Sequence, residues 1–126
     1  MTFINFKSHY NVAINPVEKL NDRKWALRSC FYAVANSISD VIDMNELMKS
    51  IAAKCNSTIE NKGSKILISS NIIQVSELLL KLKNAIIIKR NIYGAERKWL
   101  KKSNKRFPVN KFCINRNEVI EIINRI

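Results

Sequence analysis

Glycine and proline occur only twice each in 126 residues. With Gly63 and Gly94 alone, no glycine-rich phosphate-cradling loop can be written. Histidine occurs once, and His9 has no cysteine or carboxylate at motif spacing. That removes the usual Cys/His zinc sets, so no metal is expected. It also removes a nuclease reading of Tyr93, because the strand-cleaving tyrosine enzymes considered need a histidine pair to hold a metal. The three cysteines, Cys30, Cys55 and Cys113, are odd in number and widely spaced. They fit free thiols in a reducing cytoplasmic compartment better than a disulfide framework. No apolar run reaches the roughly 18 residues that would suggest a bilayer span. The N-terminal MTFINFKSHYN lacks the continuous apolar core of a signal peptide. Acidic residues are few, ten against 22 Lys and Arg. They are scattered, and Asp40 and Asp43 flank a helix start where capping accounts for them. Neither a catalytic constellation nor a cofactor motif emerges, and the expectation is a protein that is not an enzyme.

What the chain does have is positive charge, +12 overall, and it is unevenly placed. Residues 1–80 carry +2, residues 81–116 carry +11 with Glu96 as their one acid, and the last ten carry −1. Such asymmetry points to a polyanionic partner. At 126 residues the chain is read as one domain, and 47% apolar content is enough for a folded core. Ile, Asn and Lys fill 50 of the 126 positions, the usage of an AT-rich genome such as a phage, plasmid or reduced bacterium.

Residues 1–15 read as a strand or a packed N-terminal arm. Leu20, Leu27, Phe31, Val34 and Ile38, with Trp25 and Ala35 alongside, are spaced for helix. Asp43 is a good N-cap for a helix to about Cys55, with Glu46 three residues on. A loop is predicted over 56–64 and a short strand over 65–68. The clearest helix runs from about Ser70 to Lys83, with Ile72, Val75, Leu79 and Leu82 on one face. Asn84 suits its C-terminal stop. Residues 86–92 and 108–114 then read as two strands around a basic loop that opens at Tyr93-Gly94. Asn115 starts a final helix (116–126) bearing Val119, Ile120, Ile122, Ile123 and Ile126.

The order helix, strand, basic loop, strand, carried by SSNIIQVSELLLKLKNAIIIKR and VNKFCIN, resembles a winged-helix DNA-binding domain over about residues 24–115. The resemblance implies a mainly α fold with a small antiparallel β-hairpin, an α+β single domain with 16–115 as its core. It also implies a recognition helix and a phosphate-contacting wing. One departure is clear: 14 residues separate the second and third helices, where a helix-turn-helix uses a turn of about 3–4 residues.

The chemistry fits double-stranded DNA. Asn71 and Gln74 share a helix face; they are either solvated polar positions of an amphipathic helix or amides that bond adenine in the major groove, with Lys81 beside them. Lys89, Arg90, Arg97, Lys98, Lys101, Lys102, Lys105 and Arg106 supply phosphate contacts that release counterions. Trp99 either anchors this segment on its own domain or stacks on nucleic acid. The expected role is transcription regulation, or replication or partition of a mobile element. A homodimer through the isoleucine-rich C-terminal helix is the further expectation, against packing of that face within the chain. A membrane partner is not expected, because its usual sign is a basic amphipathic helix and this charge falls in a predicted loop. Two rivals fit the same residues: an RNA-binding module, and a phage- or plasmid-encoded inhibitor docking an acidic or nucleoprotein partner through its basic face.

Overall fold

The computed structural model describes residues 5–38, 43–62, 65–69, 71–102 and 114–126, with 59–62, 65–69 and 90–102 described through their backbone. Helix α1 (Phe6–Ile14) forms where a strand or arm was expected. Phe6, Tyr10 and Ala13 recur at helical steps: Phe6 and Ala13 are fully buried, and the Phe6 and Tyr10 rings stack with centroids 6.2 Å apart. Asn15 then turns the chain, its Oδ1 accepting from the Val17 N–H at 3.0 Å. Helix α2 (Leu20–Ala35) returns against α1, and Arg23 Nε donates to the Ala13 carbonyl at 3.0 Å.

Helix α3 (Met44–Cys55) begins where its cap predicts, with Asp43 Oδ1 accepting from the Asn45 N–H at 2.9 Å. It ends at Asn56, which holds the left-handed conformation (φ 53°) that asparagine tolerates. Strands β1 (Thr58–Lys62) and β2 (Lys65–Ser69) pair antiparallel, with Ile59 opposite Ile68. Helix α4 (Ile72–Lys102) is 31 residues long, roughly 46 Å at 1.5 Å per residue. Helix α5 (Arg116–Arg125) starts at Asn115, whose Oδ1 accepts from the Glu118 N–H at 2.9 Å. The core is one cluster in which α4 meets α1, α2, α3 and α5. Phe6, Leu27, Phe31, Leu47, Ile51, Leu79, Leu82 and Ile86 are among its largest fully buried side chains.

The winged-helix architecture is overturned. Residues 86–92, read as the first wing strand, lie inside α4, as do Asn84, read as its stop, and Tyr93-Gly94, read as a turn. The two-stranded sheet of the described residues stands between α3 and α4 instead, so no short helix-turn-helix joins them. The returning wing strand, 108–114, lies outside the described residues apart from Ile114, which is buried without being in a strand. Magnitudes explain why the helix runs on. Asn84 costs a helix interior about 0.7 kcal/mol relative to alanine. Fully burying Ile86 contributes about 2 kcal/mol. Ile86 reaches the core only if it stays in helical step with Leu79 and Leu82, and there it is 0% exposed. Three adjacent isoleucines look like a strand, but their burial differs: Ile86 is buried, Ile87 intermediate and Ile88 exposed.

Candidate nucleic-acid interface

The structure puts most of the sequence-predicted contacts on one helix in place of a reading helix and a separate wing. Gln74, Lys81, Lys89, Arg90, Arg97, Lys98, Trp99, Lys101 and Lys102 all belong to α4, while Lys105 and Arg106 lie outside the described residues. From position 74 to position 102 is roughly 42 Å of helix axis. The residues expected to read a groove and those expected to bind phosphate therefore lie along one helix.

Asn71 immediately precedes α4 with φ 55°, and its Nδ2 donates to the Cys55 carbonyl at 3.2 Å. That bond ties the end of α3 to the start of α4 and already occupies the amide expected to read a base. Gln74 and Lys81 are exposed. Lys89 is intermediate in burial, and its Nζ lies 3.0 Å from Glu118 Oε2 on α5.

At about 100° per residue, α4 changes character along its length. Ile72, Leu79 and Ile86 form a buried row. Positions 90, 97 and 101 continue that row, and they hold Arg90, Arg97 and Lys101, with Lys98 and Lys102 to one side. Gln74, Lys81 and Ile88 form the exposed row opposite. Positions 92, 95 and 99 continue it, and they hold Ile92, Ala95 and Trp99. The positions in line with the buried row are thus basic beyond Lys89, and those in line with the exposed row are apolar.

Helix α5 has its apolar face turned inward. Val119 and Ile123 are fully buried, and Ile122 and Ile126 pack against the same core. The face read as a dimer surface is thus taken up inside the chain. Arg116 pairs with Glu46 across α5 and α3. Among the cysteines, Cys30 is buried and Cys55 intermediate, both free, and Cys113 lies outside the described residues. Burial pushes the Cys30 thiol from 9.0 up to about 12, partly offset by its backbone hydrogen bond and by Lys83. No group of three or more His, Cys, Asp or Glu among the described residues is placed to hold a metal ion. Among them, too, no helix is long and apolar enough to cross a membrane.

A second cluster escaped the sequence reading. Trp25, expected alongside the helically spaced apolar residues, is 59% exposed, and Leu20 is 55% exposed. The Arg28 guanidinium carbon lies 5.4 Å from the Trp25 ring centroid and 5.4 Å from that of Tyr32. Its Nη2 also donates to the Tyr32 hydroxyl at 3.2 Å. The signal was present, since 25, 28 and 32 share one helix face, but Trp25 was grouped with the apolar positions that mark the helix. Compared with models of protein families, with curated proteins and with solved structures, the chain matches none.

Proposed function

We propose that this chain binds double-stranded DNA through the C-terminal half of α4, acting in transcription regulation or in replication or partition of a mobile element. The observation that supports this reading best is the uninterrupted helix that carries Arg90, Arg97, Lys98, Lys101 and Lys102 on beyond the buried Ile86. A helix about 10–12 Å across with its side chains fits the DNA major groove, about 12 Å wide. Cations along such a rod meet phosphates on the groove walls and release condensed counterions. Gln74 and Lys81, exposed toward the other end, remain in the proposal as a second zone of contact.

The test is competition among duplex DNA, duplex RNA and single strands over a salt series. Duplex DNA should win, with log affinity falling against log salt at about −0.9 per phosphate contacted. Replacing Arg97, Lys98, Lys101 and Lys102 together with Ala should weaken binding to all duplex sequences alike. Gln74→Ala should relax base preference by about 1–3 kcal/mol if that amide reads a base. Absence of duplex binding at low salt would sink the proposal, and preference for RNA would transfer it to that class.

One observation favours a second reading, an anionic membrane surface. The basic segment is helical, which removes the ground for setting a membrane aside. Ile88, 60% exposed, begins a row continued by the positions of Ile92, Ala95 and Trp99, opposite the cationic row. A helix with a cationic face and an aromatic-aliphatic face suits a bilayer interface. Sedimentation with phosphatidylserine-containing vesicles, but not with phosphatidylcholine alone, would favour it over DNA.

A further inference from the structure

We propose that the outer row of α2 is a docking surface for an acidic amphipathic peptide segment of a protein partner. Leu20, Lys24, Arg28 and Tyr32 follow one another at steps of four along this helix, with Trp25 beside them. Steps of four place them in one continuous strip. The strip is open: Leu20 is 55%, Trp25 59% and Tyr32 38% exposed, and Val17 just before the helix is 89% exposed. Its near end meets a depression of about 420 Å³ between α2 and the start of α4, where Leu20 and Ile73 provide apolar wall and Lys24 and Gln74 polar rim.

Three features select the occupant. The guanidinium of Arg28, held between two rings, is already ordered, so little conformational freedom remains to be lost on binding. Trp, Tyr and Arg are also the residues that dominate binding energy in protein interfaces. Charge comes next. Helix α2 holds Arg23, Lys24 and Arg28 against one acid, Asp22, and Asp22 stands about 160° around the helix from Lys24. Arg23 Nε donates to the Ala13 carbonyl and Arg28 Nη2 to the Tyr32 hydroxyl, so Lys24 and the remaining donors of Arg28 are the strip's groups for carboxylates. Third, Val17, Leu20 and Ile73 present aliphatic surface, which a sugar-phosphate backbone cannot use but the apolar side chains of a peptide can. An acidic amphipathic segment satisfies both halves of the strip; a single-stranded nucleic acid satisfies only the cations and rings.

This surface is separate from the cationic half of α4, and its test does not depend on DNA binding. The chain has two tryptophans, so a full-length Trp99→Phe variant makes Trp25 the sole indole reporter. Its fluorescence is titrated with a short synthetic helical peptide of Glu, Leu and Phe, with a control of equal charge in which Leu and Phe are Ser, and with an oligo-dT single strand. The expected result is a saturable Trp25 response to the amphipathic peptide alone. It should weaken by about tenfold or more in Arg28→Glu and in Leu20→Ser, and not change in Lys101→Ala/Lys102→Ala. Each variant is checked for unaltered helical circular dichroism, and the two independent strip variants guard against a folding artefact in either. Equal response to the Ser control, a response only to oligo-dT, or indifference to both strip variants overturns the proposal.

Discussion

Lys89 of α4 and Glu118 of α5 meet at 3.0 Å, about one turn past the buried Ile86. Their side chains are 32% and 30% exposed, so the pair is neither free in solvent nor sealed from it. An ion pair so placed contributes at most about 1 kcal/mol. A double-mutant cycle with Lys89→Met and Glu118→Gln, read by urea denaturation, should return a coupling of about 0.5 kcal/mol. It should shrink as salt is raised. A coupling that is zero at low salt would show that the two helices are held there by apolar contact alone.

Asn84 separates a helix interior from a helix stop. It is exposed and lies twelve residues into α4. At an interior site Asn84→Ala should be the more stable and Asn84→Gly the less, the two differing by about 1 kcal/mol. A left-handed cap would reverse the order, because there glycine carries no steric penalty. Thermal melts of the two variants decide it.

Asn71 has a structural task that can be measured apart from any ligand. Asn71→Ala loses both the amide bond to Cys55 and asparagine's tolerance of positive φ, an expected cost of about 2 kcal/mol. Asn71→Gly keeps the conformation and loses only the bond, so its cost should be about half as large. Equal losses would mean that the backbone conformation is not what Asn71 supplies.

Cys30 makes stability depend on pH on the alkaline side. Its thiol is pushed from 9.0 up to about 12, mainly by burial. The unfolded chain therefore releases this proton first as pH rises, and pulls the equilibrium toward itself. The contribution is fully present below pH 9.0 and is lost between there and about 12, with a slope of at most about 1.4 kcal/mol per pH unit. Cys55 is shifted in the same direction by burial, so the comparison is Cys30→Ala against its parent. The variant should lose less stability over that range, and in the parent Cys30 should resist thiol reagents until denaturant is added.

The helices with clear punctuation were legible. Asp43 and Asn115 cap α3 and α5 where side-chain chemistry says a helix can begin, and the period of Ile72, Val75, Leu79 and Leu82 announces α4. Helix α1 has no side-chain cap and no acid in its first turn, so the alternation around Phe3 to Ile14 was the louder signal. The second half of α4 was illegible for a different reason. Local preference at Asn84, Ile86–Ile88 and Gly94 argues against helix, and only burial of Ile86 in a core assembled from α1, α2, α3 and α5 reverses it. In the candidate site, the concentration of positive charge was visible as composition, whereas its arrangement depended on that reversal. The exposure of Trp25 was hidden because spacing shows which residues share a face, not which face is outward.

The continuity of α4 means that the fold sets an angular phase. The buried half fixes where Ile86 points, and an unbroken helix transmits that azimuth to the cationic row. One residue inserted between 87 and 90 would turn the row by about 100° without altering a single contact type, while four residues would nearly restore it, to within about 40°. The chain is in this respect a shaft as much as a surface: its core is the bearing that sets the azimuth of positions 90, 97 and 101.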